Sequence, residues 1–225
     1  MNSIQKENPL GYEKLPRLLK SFAVPSIIAM LVSSLYNIVD QVFIGQGVGY
    51  LGNAATNVAF PLTTISLAIA LLIGIGSASL FSLNLGAGEK EDAVQVVGTA
   101  FTMMLVFGVI YAVLIEIFLV PLLTAFGATA EIMPYAKEYT RITAIGMPFL
   151  IVNNGMSNLA QADGSPKFSM TCMLIGAIIN TILDPVFIFI FKLGVAGAAW
   201  ATIIGQIVSC LVAFSYLKRF RNVEL

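Results

Sequence analysis

Apolar residues fall in long blocks along this chain, and short polar or glycine-rich stretches separate them. A helix needs about 20 residues to cross roughly 30 Å of hydrocarbon. The blocks predict six such spans, over 18–44, 53–85, 93–123, 131–162, 168–191 and 195–217. Between them lie the turn residues that stop helices: Gly45 to Gly52, Gly86 to Asp92, Ala125 to Ala130, Ala162-Asp163-Gly164-Ser165-Pro166-Lys167, and the tight Lys192-Leu193-Gly194. Pro25 lies inside the first span and Pro61 inside the second, where a missing N–H can bend a helix. Gly74, Gly76, Ser77, Ala78 and Ser79 give the second span a small-residue face suited to close packing.

Polar residues inside these blocks are the exceptions that carry information. A carboxylate at mid-bilayer costs about 2.5–3.5 kcal/mol even on the lenient insertion scale, so it faces a polar cavity and works there. Asp40 sits in the first span and Asp184 in the fifth. Asn180 and Asp184 are four residues apart and stack on one helix face, while Pro185 leaves the Thr181 carbonyl without its helical donor. Tyr36 and Asp40 repeat that spacing on the first span, with Asn37 three residues from Asp40. An amide, a carboxylate and a free carbonyl form the oxygen-rich cluster that a proton or small hard cation prefers. The fourth span is the most polar, and its first third is expected outside the hydrocarbon; Asn154, Asn158 and Gln161 share one face by their spacing. Glu116, near the end of the third span, reads as an interfacial acid.

Composition narrows the class. The chain is 58% hydrophobic and 11% charged, against about 25% charged in a soluble domain, so it is an all-α integral membrane protein. Its 225 residues accommodate one six-helix bundle. Histidine is absent, which removes the commonest general base and zinc ligand and every Ser-His-Asp arrangement. Cys172 and Cys210 lie in apolar runs and read as small reduced hydrophobes. No nucleotide or nucleic-acid motif is present, and neither an enzyme nor an ATP-driven pump is indicated. With both termini inside, Lys6, Lys14, Arg17, Lys20, Lys90, Lys167, Lys218, Arg219 and Arg221 face the cytoplasm and only Lys137, Arg141 and Lys192 lie outside, as the positive-inside rule requires.

Several ordered motifs resemble one family. Pro25, Tyr36-Asn37 and Asp40-Gln41-Val42-Phe43-Ile44-Gly45 look like the opening of the MATE (multidrug and toxic compound extrusion) exporters. Ala162-Asp163-Gly164-Ser165-Pro166-Lys167, Ile179-Asn180-Thr181-Ile182-Leu183-Asp184-Pro185 and Gly194-Val195-Ala196-Gly197-Ala198-Ala199 are similar to later stretches of its DinF-like or MepA-like branch. The resemblance covers essentially the whole chain but only the amino-terminal six-helix lobe of a twelve-helix family. It implies residues 1–17 as a cytoplasmic segment, 18–217 as the transmembrane lobe, and 218–225 as a basic tail or truncated interlobe linker. It also implies a plasma-membrane antiporter in which inward proton or sodium flow drives export of organic cations and amphipathic compounds. A C-terminal six-helix lobe or a second copy would be the partner, and no cofactor beyond the coupling ion is expected. Carried onto this sequence, the family's cation-binding network consists of Asp40, Tyr139, Asn154, Asn180, Asp184 and Thr202, with Tyr36 and Asn37 nearby and Pro25 at the bend of the first helix. The alternatives are a lipid-linked oligosaccharide flippase of the same superfamily and a non-transporting membrane scaffold. The acidic rather than basic interior argues against the flippase.

Overall fold

The computed structural model describes residues 14–217 and Phe220. Most of the amino-terminal segment 1–17 and of the tail 218–225 therefore lies outside the described residues. The described chain is helical: α1 (Leu15–Gly47), α2 (Tyr50–Ala87), α3 (Lys90–Ile117), α4 (Leu119–Ala125), α5 (Met133–Ala162), α6 (Pro166–Pro185) and α7 (Val195–Ser215), with one widened turn at Val186–Ile190 between α6 and α7. The six predicted spans are α1, α2, α3 with α4, α5, α6 with its widened turn, and α7. The third span breaks at Phe118 into α3 and the short α4, a division its unbroken apolar pattern does not announce. At about 1.5 Å per residue, the 38 residues of α2 reach well past the hydrocarbon.

Five of the long helices are apolar enough to cross a bilayer on composition, and α5 is not among them. Its position explains why. α5 packs against α2, α3, α6 and α7 and forms the centre of the bundle, so protein rather than lipid surrounds it. In the first third of this span Ala136, Thr140 and Thr143 are buried against the bundle, while Glu138 and Arg141 are exposed. The outer helices instead expose apolar side chains, Leu31, Leu72, Ile110 and Ile182 among them.

Close approach of α5 to its neighbours depends on glycine. A Cβ at Gly74 of α2 would stand 2.8 Å from the Gly155 Cα of α5, and one at Gly108 of α3 would stand 2.7 Å from the Pro148 Cα. Of the predicted small-residue face on α2, Gly74 makes such an approach while Gly76 meets nothing within 4 Å. One polar link joins α2 to α3: the Tyr111 hydroxyl donates to the Leu62 carbonyl at 2.8 Å. Tyr111→Phe is expected to cost about 0.5–1.5 kcal/mol, the net worth of one such bond. It is checked as a fall in detergent-solubilised melting temperature of about 2–4 °C.

Proline shapes the two helices that meet at the acids. α1 continues as a helix through the buried Pro25. α6 ends at Pro185, whose ring cannot supply the bond to Thr181, and the chain opens into the wider turn, closed by Phe191 N–H donating to the Val186 carbonyl at 3.0 Å. That turn is gripped from both sides. Gly47 of α1 lies directly under Ile188, and a Cβ on Gly197 of α7 would come 2.9 Å from the Phe187 carbonyl carbon.

Candidate cation-binding site

α1 leans mainly on α6, and this seam brings the two aspartates together. Asp184 is fully buried, Asp40 is 8% exposed, and their carboxyl groups lie within hydrogen-bonding reach of each other. Asn180, 3% exposed, completes the cluster. With its amide turned to suit its neighbours, it donates to Asp184 Oδ2 at 3.1 Å and accepts from Thr202 Oγ1 of α7 at 3.2 Å. Tyr36 of α1 and Tyr139 of α5 both stand within electrostatic reach of the two acids. Tyr139 also packs on the apolar cluster of Ile44, Ile188 and Ala198 that closes this end of the site.

The chemistry follows from donors and acceptors. Asp40 Oδ1 is buried and has no hydrogen-bond partner. A carboxylate facing another carboxylate has two acceptors and no donor, which is repulsive in a low-dielectric setting unless a proton or a cation comes between them. The remaining oxygens nearby are neutral: the Asn180 amide, the Thr202 hydroxyl and two phenols. Such a set suits a proton or a single hard cation held by oxygen.

A cavity of about 140 Å³ opens beside this cluster between α1, α5, α6 and α7. Tyr36, Asn154, Asn180 and Thr202 line it, whereas Asp40, Asp184 and Tyr139 stand behind its wall. Asn154 is thus adjacent to the site without being bonded into it, because its amide donates to the Leu150 carbonyl at 2.9 Å. Asn37 stays on the exposed flank of α1 and donates to the Ser33 carbonyl at 2.7 Å. The shared face of Asn154, Asn158 and Gln161 serves three purposes: Asn154 lines the cavity, the Asn158 amide lies near Gly74 of α2, and Gln161 bonds Ser169 of α6 at 3.2 Å. Glu116 pairs with Arg141 at 3.7 Å on the exposed surface.

Sequence reasoning missed Ser33, Asn153, Gln206 and Ser209, which also line the cavity. A signal for two of them was present. Thr202, Gln206 and Ser209 recur at four and three residues, the same one-face spacing that identified Asn180 with Asp184.

A helical membrane bundle with buried acids beside a polar chamber fits the lobe of a transporter. The family model described as MatE matches residues 25–186, and the chain belongs to that family. It is similar to the probable multidrug resistance protein YoeA of Bacillus subtilis (strain 168), 30% identical over 92% of this chain and 45% of that protein. It is also similar to the multidrug export protein MepA of Staphylococcus haemolyticus (strain JCSC1435), 31% identical over 95% of this chain and 48% of that one. Among solved structures, an outward-facing multidrug resistance MATE family transporter of the MOP superfamily superposes with a TM-score of 0.87 at 28% identity, over 98% of this chain and 49% of that one. The chain spans about half the length of the curated relatives it matches.

Proposed function

We propose that this chain is the ion-handling lobe of a cation-coupled multidrug antiporter. Binding of a proton or sodium ion between Asp40 and Asp184 drives export of organic cations and other amphipathic compounds. The observation that carries this reading is the acceptor-to-acceptor meeting of two buried carboxyls, one with an oxygen that has no hydrogen-bond partner among the described residues. Occupancy by an ion removes the repulsion and changes how tightly α1 is held to α6, and that differential binding is what couples the ion to a change of shape. Pro25, buried within α1, is where the helix flexes.

Size separates ion from drug. Drug pockets run from about 300 to 1,000 Å³, and the chamber beside the acids measures about 140 Å³. The chamber beside the acids is thus too small for the drug, and the proposed drug site is the space between this bundle and a second six-helix lobe, either a C-terminal lobe or another copy of this chain. Purified chain in proteoliposomes tests the reading. Calorimetry is expected to show saturable proton or sodium binding to the chain itself, and where the second lobe is also present an inward proton or sodium gradient is expected to drive efflux of a cationic dye. Absence of ion binding would overturn the proposed role.

The proposed orientation puts both termini in the cytoplasm of a plasma-membrane protein. Lys14, Arg17, Lys20, Lys90 and Lys167 then lie at the inner end, and Lys137, Arg141 and Lys192 at the outer end. Lys167 and Lys192 are both exposed. In cells, Lys167→Cys is expected to resist an impermeant maleimide added from outside, and Lys192→Cys to react with it. The reverse pattern would invert the topology.

A further inference from the structure

Asp40 and Gln41 are neighbours on α1 and point about 100° apart, so they engage different helices. Asp40 meets Asp184 of α6, while the Gln41 amide donates to Thr56 Oγ1 of α2 at 3.1 Å, and the Thr56 hydroxyl donates onward to the Asn53 carbonyl at 2.9 Å. Thr56 is buried. This chain of bonds lies on an otherwise narrow seam, because α1 packs far less against α2 than against α6. Close by, Gly45 gives the Asn53 amide its space, since a Cβ there would stand 2.8 Å from Asn53 Nδ2.

The acid pair alone does not fix the angle of α1, because its two carboxyls repel one another when both are ionised. The other contacts of this end of α1 with the widened turn after α6 are apolar: Phe43 stands edge-on to Phe189 with ring centroids 6.1 Å apart, Ile44 packs with Ile188, and Gly47 lies beneath Ile188. A second polar anchor one residue from Asp40 fixes how far the carboxyl can withdraw and about which axis α1 turns when it does. Resting on the coupling role proposed above, we propose that Gln41, through Thr56, is the positioning residue of the cation site: it pins the end of α1 to α2 so that ion binding changes the Asp40–Asp184 distance in a defined way. Gln41 does not touch the ion. The ionisable groups that surround Asp40 are Asp184 of α6, Tyr36 of α1 and Tyr139 of α5, and none of them contacts Gln41 in this arrangement.

The test uses the full chain in lipid nanodiscs, with Cys172 and Cys210 changed to Ala and spin labels at Gln46→Cys and Phe191→Cys, two exposed positions, one near the end of α1 and one just after the widened turn that follows α6. The distance distribution between the labels is followed against pH and sodium concentration. In the parent it is expected to shift with ion occupancy, and Asp184→Asn is expected to abolish that shift. Gln41→Met and Thr56→Val are expected to broaden the distribution and to move the ion concentration at half-shift by about threefold to tenfold, the range an interhelical bond in a bilayer supports. Thr56→Ser, which keeps the hydroxyl, is expected to behave as the parent, and the double variant to be no worse than either single one. Parent-like width and midpoint in Gln41→Met would overturn the tether. A parent with no ion response that Asp184→Asn removes would overturn the coupling reading instead, and the width of the ion-free distribution would still decide the tether.

Discussion

Asp184→Asn is expected to reduce ion-driven dye efflux to the level of empty liposomes and to abolish its dependence on pH and sodium, while the bundle stays folded. The substitution preserves shape and one oxygen acceptor but removes the group that gains and loses charge. Because Asp184 is fully buried and Asn180 donates to it directly, the new amide remains hydrogen-bonded, and the facing Asp40 loses its like-charged neighbour. Relief of that repulsion predicts a melting temperature equal to or above the parent's. This pairing of lost coupling with retained stability distinguishes a working acid from one that only fixes helix packing, whose replacement would destabilise and leave efflux in proportion to the folded fraction. Efflux that persists at the parent's rate and still follows pH would remove Asp184 from the site.

The largest loss of stability is expected from Gly74→Leu. The atom that a side chain would meet at 2.8 Å is the backbone Cα of Gly155, which cannot swing aside, and Gly155 is itself pressed on its other flank by Met104 of α3. α2 must therefore move off α5 along the seam that organises the bundle. Overpacking of this kind costs about 1–3 kcal/mol or more, which corresponds to a fall of roughly 5–10 °C in melting temperature. Gly76→Ala is the control. Nothing lies within 4 Å of a Cβ there, and alanine is a better helix former than glycine by up to about 1 kcal/mol, so stability is expected to hold or rise. Equal losses at the two positions would mean that the small-residue face acts through propensity and not through close approach.

Much of this arrangement can be read from the chain itself, and the unread part has a common cause. Asp40 and Asp184 are legible because an acid inside an apolar helix has few inexpensive places to go, and Asn180 because four-residue spacing is a property of one helix. Tyr139, Asn154 and Thr202 required the family resemblance: nothing on their own helices separates a residue near the acids from one that merely bonds backward, as Asn154 does to Leu150. The Gln41–Thr56 bond depends on the register of α1 against α2, and a periodicity within one helix carries no information about that. The burial of Ala136, Thr140 and Thr143 against the bundle is likewise not legible from hydropathy. Hydropathy measures affinity for lipid, and α5 is enclosed by four other helices.

That enclosure bears on biosynthesis. A segment carrying Lys137, Glu138 and Arg141 near its start gains little by partitioning into lipid alone. It must be received by helices already inserted. α2 and α3, which precede it on the ribosome and press on it through Gly74 and Gly108, form the receiving groove, and the α6–α7 hairpin then seals the opposite flank. A chain ending at Ala162 and released from the ribosome would be expected to keep α5 in the bilayer, whereas the same segment fused alone behind a reporter would slip through to the far side.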